Sequence, residues 1–376
     1  MGIKLDEKLM YMWLGHMTTF RTEDVTNLLE IFGGIENTFR HMYKNSSELE
    51  KLCSSGVIKK TSMEEILSTD LESWYQELAY KMENSGIRVV TPVCPDYPER
   101  LLELKDIPPV IYYRGDIGIA ASKHQLGIIG SRRPTHYGMS MADEFASQLA
   151  NKGIVIISGL AMGIDSRGHR SAVRAEGKTI GVMGGGVDIC YPRTNIDIFH
   201  EMCENQLVLS EYEPGTAHQV IHFPARNRII SGLSDALLVV EAAIRSGTMI
   251  TVDYALEQGK AIYAIPGRAT DIMSKGTNAI IKQGAMLADS PSDIIVDMMG
   301  VLKDGEKRRS LYDGKDSTAL NEKQKKLMGM LGYEPVFIDD LIRANNMDIS
   351  DTIHQLNELA KLGFVKCLEQ GYYIIK

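Results

Sequence analysis

Seven short segments with mainly apolar residues constrain the fold of this chain more than any other feature. They lie at 125–130, 154–158, 178–183, 206–210, 236–241, 260–265 and 285–288. Helix-forming stretches separate them, among them 138–151, 165–176, 194–204 and 247–258. Strands without a polar face must be covered on both sides, and parallel strands need helical crossovers. The alternation therefore predicts an α/β domain with a Rossmann-like, doubly wound, mostly parallel sheet.

The sequence on either side of these segments has a different character. Residues 1–85 are predicted to form a small helical domain, and residues 86–302 the Rossmann-like domain. Residues 303–317 are charged and poor in large apolar side chains, which is typical of a linker. Residues 318–376 show three helical stretches followed by a β-hairpin pattern, which is the order of a winged helix.

Charge and cysteine usage exclude several classes of protein. The formal net charge is −8, so any anion site must depend on where individual cations are placed rather than on bulk charge. None of the five cysteines forms a CxxC pair, which argues against a zinc site or a disulfide framework and favours a reducing cytoplasm. No window reaches about 18 uninterrupted apolar residues, so no membrane span is expected. We predict a cytoplasmic protein without a metal or cofactor.

Cations are concentrated where ligands bind in this type of fold, beyond the carboxyl ends of the parallel strands. Residues 123–300 carry 16 Lys or Arg and 18 Asp or Glu, a net charge of −2. Acidic residues occur in the loops as well, but the planar guanidinium of arginine suits phosphate oxygens and stacks on bases. Ten of the 16 cations lie in or beside the loops that follow the strands: Arg132, Arg133, Arg167, Arg170, Arg193, Arg226, Arg228, Arg245, Arg268 and Lys275.

Glycines and aromatic residues accompany these cations. Glycines at strand ends would let backbone N–H groups approach an anion, or would serve only as tight turns. Phe223 and Tyr191 could stack on unpaired bases or simply pack. Asp165 could cap the helix that follows it, and His169 could be a packed residue. The glycines concerned are Gly130, Gly159, Gly184, Gly185, Gly186 and Gly247.

Familiar motifs of nucleotide chemistry are missing from the sequence. A Walker A loop requires GxxxxGK[ST], but the nearest candidate, Gly177-Lys178-Thr179, has Ala172 in place of the first glycine. The first apolar strand is followed by GSRRPT rather than GxGxxG, which argues against a nicotinamide cofactor. Neither GxSxG nor HExxH occurs. We therefore predict a binding protein and not an enzyme.

Several loop sequences resemble the DNA processing protein A family of bacteria, also called DprA or Smf. The resemblance runs in the family's order across residues 86–300, and the combination of FPARNRIISGLS, GSRR and SGLAMGID is highly specific. The matching stretches are DYPERLLELKDIPPVIYYRGD (96–116), GSRRPTHYG (130–138), SGLAMGID (158–165), GGGVDICYP (184–192), FPARNRIISGLS (223–234), VVEAAIRSGTMIT (239–251), AIPG (264–267) and GTNAIIKQGA (276–285).

The resemblance implies a cytoplasmic protein that binds single-stranded DNA and forms a homodimer through its Rossmann-like domain. It also implies loading of the RecA recombinase during natural transformation. By motif match, Arg132 corresponds to the family's DNA-contacting arginine, and the segment from Phe223 to Arg228 borders the same pocket. The residues that we predict to contact DNA are Gly130, Ser131, Arg132, Arg133, Ser158, Gly159, Asp165, Phe223, Arg226, Asn227, Arg228, Ser246, Gly247 and Thr248.

The two flanking regions also resemble parts of this family. The N-terminal region is similar to its SAM-like or helix-hairpin-helix-like domain, but residues 15–29 lack the Gly-x-Gly hairpin that contacts phosphates. The C-terminal region resembles the winged helix of longer members. Residues 318–376 carry seven Lys or Arg and eight Asp or Glu, and the recognition helix predicted at 350–363 is not basic. A protein contact is therefore at least as well supported there as groove reading.

Two alternatives to a DNA-binding module remain open from the sequence. Residues 241–251 resemble, at a distance, the PGGxGT loop of nucleotide phosphoribohydrolases, which would make the chain an enzyme acting on nucleoside monophosphates. In this sequence, however, Thr251 stands where that motif has its glutamate. The other alternative is an adaptor protein, in which the winged helix recruits a partner and the sheet domain only dimerises.

Overall fold

Six helices come before the first strand in the computed structural model, which describes residues 5–299, 320–332, 335–345, 348–368 and 371–375. Local capping defines their ends. The Asp70 side chain accepts a hydrogen bond from the Ser73 backbone at the start of the sixth helix, and Gly86 ends that helix with a φ of 62°. The helices are Glu7–His16 (α1), Thr22–Phe32 (α2), Ile35–Met42 (α3), Ser46–Ser54 (α4), Lys60–Ser68 (α5) and Leu71–Ser85 (α6).

A sheet of nine strands follows within the described residues. The strands are Arg88–Val90 (β1), Ile111–Gly115 (β2), Gln125–Ile129 (β3), Val155–Ser158 (β4), Thr179–Val182 (β5), Leu207–Ser210 (β6), Ala236–Val239 (β7), Ala261–Ala264 (β8) and Met286–Leu287 (β9). Their order across the sheet is β1-β2-β6-β5-β4-β3-β7-β8-β9. Strands β3 to β9 are parallel, and β1 and β2 are antiparallel additions at one edge. All seven predicted strands are confirmed.

Helices cover both faces of this sheet, as the apolar strands predicted. Successive side chains of a strand point to opposite faces. On β4, Val155 and Ile157 enter one buried core, and Ile156 enters another. The two cores confirm the doubly wound arrangement. The helices are Glu99–Leu102 (α7), His136–Asn151 (α8), Ile164–Arg174 (α9), Ile196–Asn205 (α10), His222–Leu233 (α11), Gly247–Glu257 (α12), Lys275–Lys282 (α13) and Pro291–Met299 (α14).

The strand order reverses at β3, which lies between β4 and β7. The chain first builds β4, β5 and β6 on one side of β3, and later places β7, β8 and β9 on the other side. Loops that leave β3 and β7 therefore diverge, and the crevice between such loops is where open α/β sheets bind ligands. We call residues 130–135, which connect β3 to α8, the switch-point turn.

The N-terminal helices pack closely against one face of the sheet. Met12 of α1 and Leu78 of α6 belong to the same buried core as Tyr112 of β2. A Cβ atom at Gly15 would lie only 2.5 Å from Cγ1 of Val110. Only glycine allows so close an approach, and the helical domain is therefore joined to the sheet by a continuous apolar contact.

One expectation about secondary structure is wrong. The sequence predicts one long loop over residues 211–228 after β6, but this segment contains the first turns of α11. The helix buries Arg226 and Arg228 together with Ile229 and Ile230. Because polar and apolar residues of this helix are buried side by side, hydrophobic periodicity does not reveal it.

The C-terminal region contains helices and a separate small sheet. The strands form an antiparallel sheet in the order β10-β12-β11, and the winged-helix assignment of residues 318–376 stays a prediction. The predicted linker at 303–317 lies outside the described residues. The elements are Glu322–Met328 (α15), Val336–Phe337 (β10), Ile338–Asn345 (α16), Ile349–Lys361 (α17), Val365–Cys367 (β11) and Tyr372–Ile375 (β12).

A search of the described residues for membrane spans found no helix with the length and apolar character needed to cross a bilayer.

Candidate nucleic-acid interface

The switch-point turn is anchored to the end of β7 in a way that leaves its two arginines exposed. The Ser131 N–H donates to the Glu241 carbonyl oxygen at 2.8 Å, and the Arg133 N–H donates to the Ser131 hydroxyl at 3.0 Å. The Glu241 carboxylate accepts from the N–H and the hydroxyl of Thr135, at 2.9 and 2.5 Å. Arg132 and Arg133 lie between these anchors and are exposed. The backbone is fixed while the guanidinium groups face solvent.

Arg132 lies over an aromatic ring. Its guanidinium carbon is 5.2 Å from the ring centroid of Phe223, which is in the first turn of α11. Phe223 belongs to a group of three rings, Tyr191, His218 and Phe223, that we call the ring cluster. Its centroid distances are 5.1 Å for Tyr191–His218, 5.7 Å for Tyr191–Phe223 and 6.1 Å for His218–Phe223. A cation above one ring and beside two others can engage a phosphate and an unpaired base together.

The glycine run 184–186 lies against the ring cluster. All three glycines are buried. A Cβ atom at Gly184 would lie 3.2 Å from Cδ1 of Phe223, and one at Gly185 would lie 2.9 Å from Cγ of His218. Gly184 and Gly185 therefore make room for the rings, whereas a Cβ atom at Gly186 would lie 2.5 Å from Oδ1 of Asp188.

Arg226 and Asp165 lie inside the domain. The Nη1 atom of Arg226 donates to the carbonyl oxygens of Gly159, at 2.8 Å, and of Val182. The Asp165 carboxylate accepts from the Gly159 N–H at 3.1 Å. Burial lowers the pKa of Arg226 to about 10. Burial also raises the pKa of Asp165, although the positive charge of Arg226 opposes that change. The two residues brace the ends of β4 and β5.

Ser158 and Gly159, at the end of β4, are buried as well. The Ser158 hydroxyl donates to the Ile128 carbonyl oxygen at 2.6 Å. A Cβ atom at Gly159 would lie 2.5 Å from Nη2 of Arg226, so this position must be glycine for the arginine to pass. Both residues therefore support the strand ends and do not offer a side chain to solvent.

His169 is a packed residue of α9. Its ring is buried, and its Nδ1 atom lies 2.7 Å from the Thr179 hydroxyl. Burial lowers the pKa of His169 to about 3, and the positive charges of Arg226 and Arg170 add to this effect. His169 is therefore neutral at physiological pH.

Arg228 points into the junction with the helical domain. Its Nη2 atom donates to both carboxylate oxygens of Glu211, at 2.7 and 2.8 Å, and to the Thr22 hydroxyl at 2.8 Å. The side chains of Arg228 and Glu211 are only 7% and 13% exposed. Asn227 is half-buried and accepts from Nε of Arg226 at 3.3 Å. Of this Arg-Asn-Arg run, neither arginine reaches the surface beside the switch-point turn.

The start of α12 lies beside the switch-point turn. The Thr248 hydroxyl donates to the Gly130 carbonyl oxygen at 3.2 Å. Ser246 is the N-cap residue, but its side chain makes no capping bond, and its buried Oγ atom has no partner among the described residues. A Cβ atom at Gly247 would meet nothing within 4 Å, so the space beside the first residue of this helix is open. Free N–H groups at a helix start favour an anion.

The ten cations at the loops fall into two groups. Arg167 and Arg170 are held by aspartates of neighbouring helices, and Arg226 and Arg228 are buried. The exposed cations are therefore fewer than the sequence predicted, and they lie on the loops after β3, β5, β7 and β8. The exposed six are Arg132, Arg133, Arg193, Arg245, Arg268 and Lys275.

Three residues that the sequence predictions did not single out shape this site. Glu241 anchors the switch-point turn, Glu211 holds Arg228, and His218 completes the ring cluster. His218 could have been noticed, because it stands five residues before Phe223 in the same segment. The burial of the two glutamates had no counterpart in the sequence pattern, since acids after apolar strands are usually solvated.

The doubly wound sheet, the exposed arginines of the switch-point turn and the neighbouring rings define a Rossmann-like α/β protein with exposed cations at the carboxyl edge of its sheet. More specifically, the chain belongs to the DNA recombination-mediator protein A family, whose family model matches residues 88–299.

Individual relatives support this assignment. The chain is similar to the DNA processing protein DprA of Bacillus subtilis (strain 168), with 38% identity over 237 residues that cover 62% of this chain and 79% of the relative. It is also similar to the protein Smf of Escherichia coli (strain K12), with 33% identity over 280 residues that cover 73% of this chain and 74% of the relative. The family that the loop motifs suggested is therefore confirmed.

Two solved structures extend the similarity to the fold. The X-ray structure of DNA processing protein A from Streptococcus pneumoniae matches with a TM-score of 0.67 and 30% identity, and the match covers 78% of this chain and 99% of that chain. DNA processing protein A from Helicobacter pylori, from a study of its single-stranded DNA binding mode, matches with a TM-score of 0.52 and 30% identity. That second match covers 56% of this chain and 95% of the other.

Proposed function

We propose that this chain binds single-stranded DNA across the carboxyl edge of its sheet, in a process of DNA recombination. One observation carries the proposal: Arg132 is exposed on a rigid turn and lies 5.2 Å above the ring of Phe223. Family membership and the single-stranded DNA binding described for the Helicobacter pylori relative support the same ligand.

In this proposal the exposed residues contact DNA and the buried ones hold them in place. Arg132 and Arg133 bind phosphates together with the start of α12, while Gly130 and Ser131 hold the turn that carries the two arginines. Phe223 stacks on an unpaired base, an interaction worth about 1–3 kcal/mol. The supporting residues are Ser158, Gly159, Asp165, Arg226, Asn227 and Arg228 at the strand ends and the domain junction, and the contacts on α12 are Ser246, Gly247 and Thr248.

The rings are the reason to expect a preference for single strands. A base can stack on Phe223 only if its own face is uncovered, and bases in a duplex are covered on both faces. The arginines alone would bind either form of DNA through its phosphates. Preference for single-stranded DNA should therefore depend on Phe223, and overall affinity should depend on Arg132.

The decisive experiment compares Arg132→Ala with the wild type. Fluorescence anisotropy of a labelled oligothymidine, between about 50 and 200 mM salt, gives the affinity and its salt dependence. Loss of a charge-assisted phosphate contact should weaken binding by about tenfold and reduce the slope of log K against log salt by about 0.7. Competition with unlabelled duplex then tests the preference for single strands.

Lys123→Ala is the matched control. Lys123 is exposed and lies just before β3, at the opposite edge of the sheet, so its removal changes net charge equally without touching the proposed site. Affinity should be nearly unchanged. If Lys123→Ala weakens binding as much as Arg132→Ala, or if the wild type does not bind oligothymidine, the proposal is wrong.

We also propose that the chain acts in the cytoplasm as a homodimer formed through its sheet domain, and that it loads RecA onto DNA. The outermost strand β9 supports a dimer contact, because Met286 and Leu287 are 38% and 48% exposed at an unpaired sheet edge of the described structure. Leu287→Lys should convert a dimer to a monomer in sedimentation equilibrium.

Faster RecA assembly on single-stranded DNA in the presence of the chain would support loading.

A nucleotide-cleaving activity receives no support from the geometry. Thr251, at the position where phosphoribohydrolase-like motifs have a glutamate, is 3% exposed inside α12.

A further inference from the structure

The segment that follows β6 connects the helical domain to the ring cluster. Along Glu211, Tyr212 and Glu213 the side chains alternate. Glu211 and Glu213 contact the helical domain, and Tyr212 stacks on His222 with 4.0 Å between centroids and 20° between planes. His222 directly precedes Phe223, the ring beneath Arg132. One short segment therefore contacts both the helical domain and the start of α11.

A buried ion pair lies on the helical-domain side of this segment. Glu211 accepts two hydrogen bonds from Arg228, at 2.7 and 2.8 Å, and one from the Thr22 hydroxyl at 3.2 Å. Arg228 also donates to Thr22 at 2.8 Å. We call Thr22, Glu211 and Arg228 the latch. Because both charged side chains are almost fully buried, removal of either one leaves the other uncompensated.

Helix α11 connects the latch to the proposed DNA site. It carries Phe223 in its first turn and Arg228 in its second turn. Ile229, Ile230 and Leu233 pack the same helix into the core of the sheet domain, so Phe223 and Arg228 lie on one rigid element. A shift at Arg228 is therefore expected to move Phe223 relative to Arg132.

We propose that Glu211 and Arg228 are positioning residues for single-stranded DNA, and that the helical domain acts on DNA binding through them without contacting DNA. The inference rests on the function proposed above. The helical domain, which lacks a phosphate-binding hairpin, would then influence DNA binding indirectly. Arg228, which the sequence predicts to contact DNA, would instead fix the position of α11.

Glu211→Gln in the full chain is the sharpest test, because two explanations predict opposite results. If Glu211 only withholds Arg228 from DNA, or only adds negative charge near the site, its neutralisation should tighten binding. If the latch positions α11, the same substitution should weaken binding to oligothymidine by about fivefold or more. Glu204→Gln, an exposed acid at the end of α10, is the control with the same change in charge.

Salt dependence distinguishes positioning from direct contact. In Arg228→Gln, affinity should fall while the slope of log K against log salt stays at the wild-type value. A direct phosphate contact would instead reduce the slope by about 0.7, as expected for Arg132→Ala. In a double-mutant cycle, Glu211→Gln with Arg228→Gln should be no weaker than the worse single variant, because both changes break one latch.

Thermal unfolding of each variant keeps loss of folding apart from loss of binding. Thr22→Val offers a milder change, since it removes only the hydroxyl of the latch and should weaken binding by about twofold. Three outcomes would overturn the inference. They are tighter DNA binding by Glu211→Gln, unchanged affinity in all folded latch variants, and a reduced slope of log K against log salt in Arg228→Gln. Failure of the wild type to bind oligothymidine would instead remove the proposed function itself.

Discussion

Helices α8 and α12 both begin at the switch point, but side chains cap the amino end of α8 and leave that of α12 open. At the start of α8, Thr135 accepts from the Gly138 N–H at 3.2 Å, and the Glu241 carboxylate accepts from Thr135. At the start of α12, the Ser246 side chain makes no capping bond and the space beside Gly247 is open. An internal carboxylate occupies the place where many doubly wound proteins bind phosphate.

The difference shows where an anionic ligand can enter. A phosphate near the start of α8 would meet the carboxyl oxygens of Glu241, whereas the start of α12 carries no such side chain among its described capping contacts. Glu241 also holds Ser131 and Thr135 on either side of the exposed arginines. The closed helix end therefore fixes the turn, and the open one is where the proposed function places the ligand.

The same substitution at two glycines tests this comparison most strongly. A Cβ atom at Gly138 would overlap Oε2 of the buried Glu241, so Gly138→Ala should lower the free energy of unfolding by about 2–4 kcal/mol. Gly247→Ala has room and should change it by less than about 0.5 kcal/mol, or stabilise α12 slightly. Urea unfolding of both variants measures the difference.

DNA binding gives a second test of the open helix end. Gly247→Ala covers part of the open helix end and should weaken oligothymidine binding by about threefold despite unchanged stability. Equal stability losses at the two glycines would show that α12 is as closed as α8. Unchanged DNA binding by Gly247→Ala would remove the start of α12 from the proposed site.

The fold could be predicted from the sequence because each strand leaves a pattern within a few consecutive residues. Each buried parallel strand appears as a short apolar run, and each strand in the seven-run series was found within two residues of its expected limits. Helix α11 could not be predicted in this way, because its buried face includes Arg226 and Arg228. Only tertiary partners, the strand-end carbonyls and Glu211, make that burial possible.

The location of the candidate site could be predicted from the sequence, but the environment of each arginine could not. The rule that ligands bind at the carboxyl ends of strands correctly brought the switch-point turn, Phe223 and the start of α12 together. The same rule could not distinguish exposed from buried arginines, since charge alone does not show which cations meet a carboxylate or carbonyl inside the fold. Arg132 and Arg228 have the same chemistry and opposite environments.

Exchange of the two N-cap residues for alanine tests the comparison with a smaller effect. Thr135→Ala removes a capping bond to Gly138 and a hydrogen bond to Glu241, and should lower the free energy of unfolding by about 1–3 kcal/mol. Ser246→Ala removes a hydroxyl without a partner among the described residues, and should change it by less than about 0.5 kcal/mol. A larger loss for Ser246→Ala than for Thr135→Ala in urea unfolding would contradict the assignment of open and closed ends.

The smallest expected effect is a pH dependence of the free energy of unfolding, caused by Glu241 at the closed end of α8. Burial raises the pKa of Glu241, although its hydrogen bonds from Thr135 oppose that change. The folded chain therefore keeps a proton at a pH where the unfolded carboxyl has lost it, and the stability that Glu241 contributes is lost as pH rises through the folded pKa.

Glu241→Gln does not titrate at this position and therefore serves as the reference. The free energy of unfolding of the wild type minus that of Glu241→Gln, measured by urea unfolding, should fall as the pH is raised from about 4, where an unfolded glutamate titrates. The difference between the wild type and Ser246→Ala should stay constant over the same range, because no ionisable group is changed at α12. A wild-type advantage over Glu241→Gln that grows with pH would mean that the Thr135 bonds outweigh burial, so that the closed end holds a carboxylate which prefers to be charged.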